Sequence, residues 1–458
     1  MAAVIKLKRG TSTPSTSDIA SGEVAVDTSA AKLYINDAGT VKEIGGGGGL
    51  SSDSGENTVG GTNAGDAISV DVSGGTGVRN TILGYDAGTS LTDAIDCTFI
   101  GWEAGKDITD GNKNTFIGSY AGHNTNSGTY LNTFIGYQAG VNNGNGHQNI
   151  GIGYNALAQN EAWSNVVVGN NAGEDNTTGT QGVFLGRSAA MNNTTGSNAI
   201  AIGYESLKTN TTGSNSVAIG HEALKNNATT NSQIAIGIQA AKAHTTGNSN
   251  TIIGSYAART GTDHTQITAV GSGVLMNRSA SMFATTAIGT NAMQWGDGDN
   301  CTAVGVTALN MCQADQNTGI GYQAGEDITS GEGNTLLGYQ AGDKITTGAN
   351  NIVIGHEAAA SAIDVSNEIT LGDTAITKFR IPGINFVVKD TTATEDYVLT
   401  VDANGEAGWE AAAGGGLSNI VEDTSPQLGG ALDGQNNNMS NIGTIDGTNL
   451  QLDFGSIA

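Results

Sequence analysis

From residue 57 to residue 376, apolar and polar positions recur at a fixed interval. A nonapeptide of the form Asn-Thr-x-Ile-Gly-x-x-Ala-Gly/Leu is clearest at Asn132–Gly140, Asn317–Gly325 and Asn334–Gly342. Its central glycine falls at Gly84, Gly101, Gly118, Gly136, Gly153, Gly169, Gly186, Gly203, Gly220, Gly237, Gly254, Gly271, Gly289, Gly305, Gly321, Gly338, Gly355 and Gly372, always 16, 17 or 18 residues apart. Asn57–Gly65 is a degenerate further copy. The residue before each glycine is aliphatic, and the residue three before it is β-branched in all eighteen copies. Such residues suit a pleated strand, and positions two apart share a face. The residue between them is mostly apolar as well, Phe99, Phe116, Phe134 and Phe184 first, then Ala201, Ala218 and Ala235. A repeat of this length predicts an all-β parallel solenoid of about 18 coils of about 17 residues, each with two short strands and two bends.

A strand apolar on both faces is buried on both. One coil has one interior, so the second face needs a cover. Identical chains around a threefold axis supply it most economically; a dimer or a separate covering chain fits the same pattern. The glycine fits a corner of positive φ or close backbone approach. Asn80, Asn114 and Asn351 stand four before their glycines, where stacked amides can satisfy bend backbone from coil to coil. Cys97 and Cys301 occupy the same position and read as turn residues.

Composition agrees with a thin repetitive structure. The 458 residues include 70 glycines and 3 prolines, and only 5% are aromatic, too few for a large globular core. The formal charge of −25 argues against nucleic acid and anionic membranes as partners. Three cysteines without a CxxC exclude a disulfide framework or zinc ribbon. No apolar run reaches the roughly 18–20 residues of a membrane span, and Met1-Ala-Ala-Val-Ile-Lys6 lacks a secretory signal's apolar segment. Folding in a cytoplasm without membrane insertion is the expectation.

Asn198-Ala-Ile-Ala-Ile-Gly-Tyr-Glu-Ser-Leu207 and Asn215-Ser-Val-Ala-Ile-Gly-His-Glu-Ala-Leu224 resemble the head repeats of trimeric autotransporter adhesins (YadA-like). That resemblance, over residues 57–376, implies a trimer of left-handed parallel β-rolls; related repeats occur in phage tail fibres. Lys6–Gly10, Ser21–Asp27 and Lys32–Asn36 resemble the small N-terminal β-domain of phage tropism-determinant and tail-fibre proteins, which lies at the virion-proximal end. Asp423–Asp433 looks like a linker repeat of phage fibres. The implied organisation is a virion-attachment β-domain (1–44), a Gly-rich hinge (45–56), the rod (57–376), a small β-region (377–413) and a C-terminal linker or partner-binding segment (414–458). In the β-region, Phe379–Val388 and Tyr397–Val401 read as strands, with Asp402–Gly405 a turn towards Trp409.

The resemblance implies a homotrimeric virion tail fibre, assembled in the host cytoplasm. It would join other tail proteins through its N-terminus and adsorb to a host surface glycan or outer-membrane protein. The alternatives are a structural spacer carrying another fibre protein at its C-terminus, and a polysaccharide depolymerase. No enzymatic constellation stands out. Glu103, Asp107, Glu326 and Asp327 follow the repeat loops, the six histidines are isolated, and no HxH or HExxH suggests a metal, so no cofactor is expected. Tyr85, Trp102, Tyr137, Tyr154, Tyr204, Tyr322 and Tyr339 follow their glycines and read as a structural ladder rather than a sugar site. Trp163 and Trp295, between motifs, are the receptor-contact candidates.

Overall fold

A computed structural model describes residues 8–15, 19–20, 23–27, 32–37, 40–44, 51–126, 128–277, 281–380, 397–401 and 407–411. Among them every regular element is a strand, and no helix is long and apolar enough to cross a membrane. Nineteen three-residue strands stack in parallel, from Thr58–Gly60 to Ile369–Leu371. The degenerate copy is therefore the first rung. Register follows the nonapeptide: Thr115, Phe116 and Ile117 lie beside Thr133, Phe134 and Ile135.

Each coil has one strand, not the two expected. The exception is a side pair, His264–Thr265 with Met282–Phe283. Elsewhere left-handed residues break any second extended run. They stand five before the corner glycine (Leu131, φ 61°; Gln148, φ 59°) and two after it (Gln138, φ 55°; Asn155, φ 53°). Their N–H groups still bond to the coil before: Gln138 N–H donates to Ser119 O at 3.0 Å and Gln148 N–H to Tyr130 O at 3.1 Å. Inter-coil bonds around the whole bend keep each conformation in place and hold the repeat length nearly constant.

The corner accepts only glycine for two reasons. From Gly84 to Gly355 its φ stays between 131° and 146°, a region L side chains avoid. A Cβ on Gly136 would also lie 2.4 Å from the carbonyl oxygen of Gly153 on the next coil.

The interior explains the strand's middle residue. Phe99, Phe116 and Phe134 are fully buried and stack in offset fashion, with centroids 5.0 and 5.2 Å apart. Each faces the position four after the corner, on the opposite wall. Opposite Phe99, Phe116 and Phe134 that position is Gly105, Gly122 and Gly140, and a Cβ on Gly122 would lie 2.6 Å from the Phe116 ring; opposite Phe184 it is the small Ala190. Where the strand supplies Ala201 or Ala218, the wall supplies Leu207 or Leu224, all buried. Close packing allows about one bulky group per coil, from either wall.

One buried bend carbonyl per coil follows the same logic. The position four before the preceding corner donates to it: Asn114 Nδ2 to Thr129 O at 3.0 Å, Asn334 Nδ2 to Gly348 O at 2.9 Å. Where that position becomes Gly182 or Ala199, a second asparagine row seven after the corner takes over, with Asn193 donating to Gly196 O and Asn210 to Gly213 O, both at 2.9 Å. Between Asn132 and Asn176 both rows are present and share carbonyls. The cysteines stand in for asparagine. Cys97 Sγ lies 3.0 Å from Gly111 O, and Cys301 and Cys312 both reach Ala314 O, at 3.4 and 3.2 Å.

Ahead of the rod, β1 (Lys8–Gly10) pairs in parallel with β2 (Val24–Asp27), and β2, β3 (Lys32–Asp37) and β4 (Thr40–Ile44) continue antiparallel. Ile19, Ala25 and Tyr34 form its small core, and Asn36 Nδ2 ties Ile19 O at 2.7 Å. A short strand, β5 (Ser51–Ser52), caps the first rung antiparallel. The chain after Thr377 forms a separate unit. There Tyr397–Val401 and Ala407–Ala411 make the expected hairpin, Leu399 opposite Trp409. Phe379 and Arg380 have no regular structure, contrary to expectation. The glycine hinge 45–49, residues 381–388, the turn 402–405 and the segment 414–458 lie outside the described residues.

Candidate functional site

Three surfaces run the length of the rod. The first is the outer strand face. Because the middle residue points inward, the flanking β-branched and aliphatic residues point out. Ile150 is 37% exposed, Val168 39%, Leu337 44% and Ile369 66%. A band of Thr, Val, Ile and Leu thus continues over every rung without a cover from its own chain. Solvated faces of sheets ordinarily alternate to polar residues, so an apolar outer ladder of this length points to association.

The second surface is the row of aromatics just after the corners. Tyr137 and Tyr154 stack at 5.5 Å with planes 10° apart; Tyr322, Tyr339 and His356 stack at 5.2 and 5.1 Å. Stacked rings cover one another's faces and leave their edges in solvent, the arrangement of a structural ladder.

The third is a ridge at the bend before the strand. Trp163 stands on it, 60% exposed, six residues before Gly169. Six residues before Gly136 and Gly153 stand Tyr130 and His147, which stack at 4.3 Å. The nonapeptide frame does not reach this position; counting back from each corner glycine would have found all three. Trp295 is exposed too, but it follows Gly289 on a distant coil, so the two tryptophans are not brought together.

Several of the acidic residues are held in ion pairs. Glu103 takes His123 Nε2 at 2.8 Å and Lys106 Nζ at 3.3 Å. Lys225 Nζ bridges Glu205 and Glu222 at 2.6 Å each, and Lys242 Nζ reaches Glu222 at 2.7 Å. Hydrogen bonds from Lys225 and Lys242 push the Glu222 carboxyl down to about 2, against the opposing effect of burial. Burial, then the neighbouring Asp327 charge, raises the Glu326 carboxyl above its ordinary value. Burial pushes the Cys97 thiol up to about 11. Among the described residues no three His, Cys, Asp or Glu side chains gather as a metal site. No protein-family model matches the chain, and no curated protein or solved structure is similar to it.

Proposed function

We propose that this chain is a non-enzymatic bacteriophage tail fibre, a homotrimer that attaches to the virion through its N-terminal sheet and adsorbs to the host surface. The observation that carries the reading is the uncovered outer ladder, from Thr81 to Leu371, on a narrow rod. Three copies placed with these faces inward would remove every ladder from water, the largest favourable change open to such a surface. The N-terminal segment adds the resemblance to phage attachment domains, and Asp423–Asp433 the resemblance to a phage-fibre linker. The ion pairs that hold Glu103, Glu205 and Glu222 favour a display surface over a depolymerase. A trimer would present three equivalent flanks and gain avidity for a repeated glycan or outer-membrane protein. The test is adsorption in the presence of excess purified protein. Competition with virion attachment supports the reading; unimpeded adsorption at saturating folded protein contradicts it.

A further inference from the structure

The bend ridge that carries Trp163 also carries two neighbouring clefts that open between exposed aromatic and amide side chains. The first, about 540 Å³, is lined by Ile95, Asp110, Asn112, Lys113, Tyr130 and Leu131. The second, about 270 Å³, is lined by Gln148, Trp163, Ser164, Thr180 and Gln181. They follow one another along the rod, because these residues, Asp110 apart, occupy the same two positions, six and five before the corner, on consecutive coils. The corners here are also irregularly spaced: 18 residues separate Gly118 from Gly136, and 16 separate Gly153 from Gly169.

The chemistry on this ridge narrows the ligand. Trp163 is 60% exposed and, among the described residues, stacks on no other ring, so it offers an indole face; Tyr130, 43% exposed, has one face against His147 and lines the first cleft with Asn112 and Lys113 of the preceding coil on the other side. Around the rings stand planar amides (Asn112, Gln148, Gln181), two hydroxyls (Ser164, Thr180) and a carboxylate beside an ammonium (Asp110, Lys113). His147 Nδ1 accepts the Tyr130 N–H at 3.3 Å, so Nε2 carries the ring's proton. Backbone is unavailable for strand addition by a peptide: the N–H groups of Leu131, Gln148, Ser164 and Gln181 already donate to Asn112, Tyr130, His147 and Trp163. A net charge of −25 disfavours polyanions. What remains is a ligand with apolar C–H faces for the rings and many hydroxyls for the amides.

We infer that the ridge from Asn112 to Gln181 is a binding groove for a neutral or acetamido-bearing oligosaccharide, with Tyr130 and Trp163 as its two stacking platforms. Four coil rises give it a length of about 19 Å, enough for a short sugar chain. Asn112, Gln148 and Gln181 would take the hydroxyls, since a planar amide both donates and accepts. The inference deepens the adsorption reading and rests on it only for the source of the sugar, so it is tested without cells.

The full-length protein is screened on immobilised neutral, acetamido and acidic tetrasaccharides, and the strongest ligand is titrated in solution. Expected is retention on a neutral or acetamido sugar, weakened at least tenfold by Trp163→Ala and by Tyr130→Ala. Trp163→Phe should recover part of the loss, and Trp102→Ala, in the other aromatic row, should leave binding unchanged. Both alanine sites are exposed, so their urea midpoints should match the parent's. Retention of no sugar, of acidic sugars alone, or with equal loss in Trp102→Ala overturns the groove. Sugar binding that survives while excess protein fails to block adsorption would refute the fibre reading and leave the groove standing.

Discussion

The coils of Phe99, Phe116 and Phe134 and those of Ala201 and Ala218 share corner and strand but fill their interiors from opposite walls. In the first group the strand supplies a phenylalanine, the facing turn a glycine, and the bend carbonyl takes its donor from Asn114 or Asn132. In the second the strand supplies alanine, and the donors are Asn210 and Asn227 on the turn wall. There Leu207 and Leu224 fill the space from the turn. What each coil fixes is a volume and a donor, not the residue that provides them. That is how a repeat drifts in sequence while its register holds.

The largest effect should fall where both groups agree. Gly136→Ala and Gly220→Ala each put a Cβ within 2.4 Å of the next coil's backbone, in a φ region alanine avoids. Each should cost about 5 kcal/mol in urea unfolding. Equal costs would show that the corner does not depend on the filling.

Phe116→Ala should cost about 3–5 kcal/mol, since its partner Gly122 offers nothing to fill the cavity. The reverse change, Ala218→Phe, should cost about 1–3 kcal/mol by crowding Leu224, and Leu224→Gly should restore much of it. A double-mutant cycle reads this coupling directly; additive effects would break the shared-volume account.

The carbonyl rule gives a smaller, sharper contrast. Asn334 is the side-chain donor to Gly348 O, whereas Gly146 O receives both Asn132 and Asn143. Asn334→Ala should therefore cost about 2 kcal/mol and Asn132→Ala about 1 kcal/mol.

Much of this was legible in the sequence because the corner glycine admits no substitute. Gly84 to Gly372 fixed the rung spacing, the strand triplets and the degenerate first coil. The asparagines four before the corner were also visible, and they bond as expected. The second row, from Asn143 to Asn227, was not, since it lies outside the nonapeptide in loops that vary in length. Size exchange between walls was hidden because each position alone looks permissive: Phe or Ala, Gly or Leu. Single strands replaced the expected pairs because left-handed residues as different as Leu131, Gln138 and Asn155 occur where their chemistry gives no signal. Tyr130 and His147 were missed beside Trp163 for want of the same counting frame.

Smaller effects concern charge and thiols. With its carboxyl held at about 2 against an ordinary 4.5, Glu222 adds stability that is complete above pH 4.5 and lost as pH falls towards 2. Glu222→Gln should flatten that part of the acid unfolding curve by lowering stability at pH 7 while leaving it little changed near pH 2. Cys97, buried and with its thiol near 11, should resist maleimide at pH 8 in the folded rod and react in urea.

The central claim joins this interior to the uncovered outer ladder: coils that satisfy themselves inside and need neighbours outside. Light scattering on the purified chain tests it most directly. The account predicts a particle of three times 46.1 kDa, which Ile234→Lys on the outer face should drive towards single chains. A folded, monodisperse monomer of the unaltered chain would contradict it.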